Sequence, residues 1–200
     1  MNLVAAAGLG LGLGIVTGMP LGVVNLAIVD AAIAGRRRFA AGLALGGGAA
    51  DTVHAGLAFV GVGRLVTSRP ELMRVLAIAA ALLIVGYAVV SWRREPTSRA
   101  PGDDASLAVR GFTTGAVLTL PNPGALAAWV AVAAALWPDA RIAEAVVLAI
   151  GVGIGSAGWF ALLARWVSRV RPDHKALAVV PRIALVILVG IAVIGVIRVV

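Results

Sequence analysis

The chain has 200 residues, of which 61% are hydrophobic and only 13% charged, and its mean hydropathy is +1.03. A soluble domain of this size carries about twice that share of charge, so the composition describes an all-α polytopic membrane protein with no room for a large soluble domain. Cys is absent and there are two His, which excludes disulfides, thiolate metal sites, dithiol chemistry and a multi-histidine cage. The net charge of +8 sits as arginines in short loops between apolar runs. That is a topology signal and a contact with anionic headgroups of the lipid bilayer, not a nucleic-acid surface.

The first apolar segment, about Leu3 to Ala34, is too long for one straight span and must tilt or break, and Gly18-Met19-Pro20 is the place. Asn25 follows the break. Glycines at 8, 10, 12, 14 and 18 give small-residue spacing that allows close helix approach. Arg36-Arg37-Arg38 closes the segment. Asp30, just before this turn, is expected to pair with Arg36 or Arg37. The second segment, about Phe39 to Gly63, carries Gly46-Gly47-Gly48, then Asp51 and His54. The third runs from about Leu72 to Trp92, and Arg93 to Arg110 reads as a cytoplasmic linker. The fourth, Phe112 to Trp137, holds Pro121-Asn122-Pro123, where two prolines remove backbone donors and break the helix. The fifth, Ile142 to Trp166, contains Gly151, Gly155, Ser156, Gly158 and Trp159, and the sixth runs from about Ala176 to Val199.

Six spans alternate their loops across the bilayer. Twelve of the seventeen basic residues fall after spans one, three and five. The positive-inside rule then places both termini outside and the middle loop in the cytoplasm. Three spans per half mean that the second half inserts upside down. The expected architecture is therefore two inverted three-helix repeats, 1–92 and 111–200, joined by 93–110, each with a broken first helix. Paired breaks near the midplane are the sequence pointer to a transporter's binding site.

Asp51 is the candidate proton carrier, because an intramembrane carboxylate is costly and marks ion or substrate paths. The competing reading is a structural hydrogen bond or ion pair. His54 shares its helix face and could relay protons, or merely bond Asp51 or a backbone carbonyl. Pro20 with Asn25, and Thr114 with Pro121, Asn122 and Pro123, are the candidate substrate path. There freed carbonyls and half-helix ends could hold an ammonium and a carboxylate; the competing reading is a packing kink. Few carboxylates and His argue against efflux of a divalent cation, and no nucleophile–base pair suggests an enzyme. A scaffold without transport would explain the glycines but not Asp51 or the paired breaks. The small-residue faces allow a homodimer.

Several motifs together resemble the LysE/RhtB amino-acid exporters. These are Pro20-Leu21-Gly22, Gly35-Arg36-Arg37-Arg38, Gly42 through Gly48 with Asp51 and His54, Arg110-Gly111-Phe112, and Pro121-Asn122-Pro123-Gly124-Ala125. The likeness covers most of the chain. The family's Pro-Gly-Pro here reads Pro20-Leu21-Gly22, so only its first proline is kept, and Gly124 stands where the family often has Lys. The resemblance implies a bacterial inner-membrane protein that exports amino acids or related small solutes in exchange for protons, with no cofactor.

Overall fold

The computed structural model describes residues 2–19, 22–93, 105–137 and 140–169, with scattered positions between 182 and 197. Pro20 and Leu21, positions 94–104 of the linker, and most of the sixth apolar segment lie outside the described residues. The described residues form helices and no strand: α1 (Leu3–Gly18), α2 (Val23–Ile33), α3 (Arg37–Phe59), α4 (Val62–Thr67), α5 (Pro70–Trp92), α6 (Ala105–Thr119), α7 (Pro123–Leu136) and α8 (Ile142–Val167).

Both expected breaks occur, and the helix axes of α1 and α2, and of α6 and α7, turn by 71° across them. Among the described residues α5 and α8 are each long and apolar enough to cross a membrane, and the count there rises to four if each bent pair makes one span. α3 is long enough at 23 residues, but its glycines, Asp51 and His54 dilute its apolar character. The reason is positional. α3 is central, with α2, α6, α7 and α8 packed around it, so it has little need of a lipid-facing surface. Two boundaries differ from the sequence expectation. The second segment stops at Phe59, where Gly61 turns the chain at φ +85° into the short α4. α6 starts at Ala105, inside the stretch expected to be linker.

The frame is a row of helices in the order α1, α8, α3, α6. Glycines set the spacing at every junction, because a helix without Cβ atoms on one face lets a neighbouring backbone close in. A Cβ at Gly14 would overlap the Val152 carbonyl oxygen and stand 2.9 Å from the Ser156 nitrogen. One at Gly115 would be 2.5 Å from the Leu43 carbonyl oxygen and 3.0 Å from the Gly47 nitrogen. Gly10 lies on Leu148 as Gly111 lies on Phe39. Gly151 approaches Ala7, Gly10 and Leu11 as Gly42 approaches Ala108, Gly111 and Phe112. Gly155 approaches Leu11 and Ile15 as Gly46 approaches Phe112 and Ala116. The α1–α8 and α3–α6 junctions therefore match residue for residue, with α1 corresponding to α6 and α8 to α3. Under the same correspondence Pro20 falls on Pro121.

These contacts also fix direction. Residue numbers rise together across α1–α8 and across α3–α6, so each pair is parallel. They run opposite across α3–α8, where Gly48 meets Gly153 and Ala157 while Gly56 meets Ala149. Two apolar cores flank the row. One gathers Val24, Ile28, Leu43, Leu118 and Phe160, and the other Phe59, Trp129, Leu148 and Val152.

Candidate functional site

Each break exposes carbonyls that have run out of helical donors, and buried carbonyls need other partners. At the first break the amide nitrogen of Asn25, on α2, donates to the Gly18 carbonyl at 2.9 Å. Asn25 is 3% exposed, so this bond ties the two arms of the bent pair together inside the protein. At the second break α6 ends at Thr119, and Nε2 of His54 on α3 donates to the Leu120 carbonyl at 3.0 Å. A carbonyl only accepts, so Nε2 carries the proton. Nδ1 of the same ring is buried without a partner among the described residues. His54 thus makes the contact with a backbone carbonyl that the sequence allowed.

Asn122 turns back on its own chain. Its Oδ1 accepts from the Gly124 N–H at 3.0 Å and the Ala125 N–H at 3.3 Å, making it the N-cap of α7, with Pro123 in the first turn. The sequence explains this arrangement. Asn is among the best N-caps, and Pro suits the first helical position because no donor is wanted there. Thr119 donates to the Gly115 carbonyl at 2.9 Å and Thr114 to the Arg110 carbonyl at 2.7 Å, so both hydroxyls bond their own helix.

Asp51 is half-buried on α3. Ser156 is wholly buried, and its hydroxyl donates to the Gly14 carbonyl of α1 at 3.2 Å, joining α8 to α1. Thr114 is elsewhere. With Thr113, Leu83, Tyr87, Val117 and Leu118 it lines an open cavity of about 220 Å³ between α5 and α6. Tyr87 hydroxyl reaches Asp30 Oδ2 at 3.3 Å, and Asp30 pairs with Arg36 at 2.7 Å as its sequence position suggests.

The structure therefore joins Ser156 to Gly14, and His54 to the second break, while Asp51 lies one turn from His54 on α3. Asn25 holds the first break, Asn122 caps its own helix, and Thr114 lies apart. Sequence reasoning passed over Ser156 as a site residue. Its signal was a hydroxyl within a run of small residues, Gly151, Gly153, Gly155 and Gly158, where only a side chain of that size fits.

No curated protein and no solved structure matches the chain. The family profile described as LysE type translocator matches residues 15–197. With all but its two ends covered, and with helices long and apolar enough to cross a membrane, the chain belongs to the LysE type translocator family and is a multi-pass membrane protein.

Proposed function

We propose that this translocator is a secondary exporter of amino acids or related small solutes, driven by proton antiport and working by alternating access in a bacterial inner membrane. The observation that carries the reading is the matched pair of junctions around α3 and α8. α1 runs with α8, α8 runs against α3, and α3 runs with α6, so the first arms of the two bent pairs run in opposite senses. That is the sense expected of two inverted repeats with both termini outside and the middle loop inside. Inverted repeats give a transporter two related conformations, one open to each side, by exchanging the roles of its halves.

Asp51 takes the proton-carrying role in this reading. It sits on the central helix, half-buried and one turn from His54. The breaks supply half-helix ends whose dipoles suit the two charges of an amino acid, the starts of α2 and α7 for a carboxylate and the ends of α1 and α6 for an ammonium. Pro20, Asn25, Pro121, Asn122 and Pro123 are assigned to the substrate path on this basis, and Thr114, in the separate cavity between α5 and α6, is not. The basic turn at Arg36, Arg37 and Arg38 lies against anionic headgroups, and the exposed glycine face of α1 around Gly8 and Gly12 suits a second copy of the chain.

The test is export from cells. An efflux-poor bacterial host expressing the protein is loaded with amino acids by feeding dipeptides, and each amino acid is followed outside over minutes. Selective release that is lost in Asp51→Asn, with the variant at normal level in the membrane, is the expected result. Release equal to that of the empty host would overturn the reading.

A further inference from the structure

The cavity between α5 and α6 has no place in the exporter reading, and its walls say what it takes. Three of its lining residues are apolar, Leu83, Val117 and Leu118, and three carry hydroxyls, Tyr87, Thr113 and Thr114. Each of those hydroxyl hydrogens is spent on the protein. Thr113 donates to the Arg110 carbonyl at 3.0 Å, and Thr114 donates to the same carbonyl at 2.7 Å. The Tyr87 hydroxyl turns to Asp30 and the Ala27 carbonyl. A polar solute would leave its water for a cavity with no spare donor, which is costly. A hydrocarbon chain gives up nothing there. At about 220 Å³ the cavity holds a stretch of one chain and is too small for a helix. Its rim is apolar as well: Leu83 is 38% exposed and Val117 46%. It therefore opens sideways on hydrocarbon.

One end of the cavity supplies a charge. Arg110, Thr113, Thr114 and Val117 are spaced i, i+3, i+4 and i+7 along α6, so they share one face. Arg110 stands one turn beyond the cavity on the face that lines it. It is exposed and has no ion-pair partner among the described residues.

That end of α6 is the basic end of the bundle. Tyr87 reaches Asp30, and Asp30 pairs with Arg36. The Arg36 guanidinium lies 5.0 Å from the centre of the Phe39 ring, and the Phe39 carbonyl lies against Gly111. These contacts bring the starts of α3 and α6 and the last turns of α5 to one level. Trp92, which ends α5, lies 6.0 Å from the Arg182 guanidinium. Tryptophan marks the membrane–water interface. Arg36 is neutralised by Asp30, but Arg110 is not. A basic pocket between membrane helices at this level suits an anionic head group.

We infer that the α5–α6 cavity is a binding site for an anionic phospholipid, with one acyl chain along Leu83, Val117 and Leu118 and the phosphate at Arg110. The inference needs only that the chain spans a membrane, and its failure leaves the exporter reading untouched.

The test is retention of lipid by the purified full chain, read by native mass spectrometry from a mild detergent. The probes are dioleoyl phosphatidylglycerol and dioleoyl phosphatidylcholine, which share their chains and differ in net charge. The first is expected to bind about fivefold more tightly, the effect of one cation near the surface. Arg110→Gln should remove that preference and leave phosphatidylcholine binding as it was. Arg37→Gln, also exposed but on α3, should change neither. Val117→Phe fills the cavity from its exposed rim and should weaken both lipids alike. Leu83→Phe does the same from the opposite wall and serves where Val117→Phe fails to fold. Equal retention of the two lipids overturns the inference. So does an equal loss in Arg37→Gln and Arg110→Gln, which would make the preference a property of the whole basic end. Retention unchanged in both phenylalanine variants would put the lipid elsewhere and overturn it too. Displacement of phosphatidylglycerol by millimolar glycerol phosphate would give the site to a free anion instead.

Discussion

The tight junctions make a quantitative prediction about two glycines half a turn apart on one helix. Gly12 and Gly14 both lie in α1, and each gains about 0.5–1 kcal/mol of helix preference on replacement by Ala. That gain is common and cancels in the comparison. At Gly12 a Cβ meets nothing within 4 Å. At Gly14 it overlaps the Val152 carbonyl oxygen and stands 2.8 Å from the carbonyl carbon. Both are backbone atoms of α8, with no side-chain rotamer to swing aside, so α1 must back away along its length. Overpacking of this kind costs about 1–3 kcal/mol. A difference of that size separates the melting midpoints by roughly 2–12 °C for a chain of this length. The assay is thermal unfolding of each purified variant in one detergent, followed by loss of the monodisperse peak. Gly12→Ala should melt at or above the parent and Gly14→Ala below it. Gly115→Ala, at the matching position of α6, should fall with Gly14→Ala. Equal midpoints for Gly12→Ala and Gly14→Ala would refute the packing argument, and a harmless Gly115→Ala would refute the correspondence between the two junctions.

Asn25→Leu leaves the buried Gly18 carbonyl without its donor and should cost about 1–3 kcal/mol, read as a lowered melting midpoint in the same assay. For Asn122, the cap and the substrate path separate cleanly. Asn122→Ala should lose about 1 kcal/mol of stability and Asn122→Ser almost none, so an export defect in the stable Asn122→Ser would assign the amide to the path. Arg36→Ala removes the counter-charge of Asp30, 8% exposed, and should destabilise by a few kcal/mol. Tyr87→Phe should cost less, because the Tyr87 hydroxyl makes long hydrogen bonds of 3.3 Å to Asp30 and 3.5 Å to the Ala27 carbonyl, together worth about 1 kcal/mol. Gly61→Ala places a Cβ at φ +85° and should cost about 1–2 kcal/mol in the melting assay although nothing crowds the position.

The breaks were legible because proline acts locally. Pro20, Pro121 and Pro123 interrupt any helix they enter, whatever surrounds them, and the 71° bends lie where they stand. The Asp30–Arg36 pair was legible for a similar reason, both residues flanking one turn. The role of α3 was harder to see. Its glycines announce close packing, but only the structure says that Gly42 and Gly46 serve α6 while Gly48 serves α8. Periodicity marks a face without naming what covers it. Which carbonyl His54 would meet was not legible, because Leu120 is far along the chain and is reached through its backbone carbonyl, which every residue has. The start of α6 at Ala105 escaped because Arg110, in its second turn, reads as the last basic residue of the linker although Leu107, Ala108 and Val109 before it are apolar.

A frame built from matched glycines and a centre built from mismatched side chains answer different needs. Glycine contacts fix how closely helices approach, and matching them in both halves lets either junction close with the same geometry. A carboxylate inside a membrane protein has the opposite requirement, because each one adds its own cost. At the position of α8 that matches Asp51 stands Phe160, 5% exposed and set in the apolar core with Gly47 and Val24. Phe160→Asp would put a second carboxylate into that core and should lower the melting midpoint by the equivalent of about 3 kcal/mol or more, whereas Phe160→Leu should cost only about 1 kcal/mol. Equal midpoints for the two variants would mean that the matched position is not part of the apolar core.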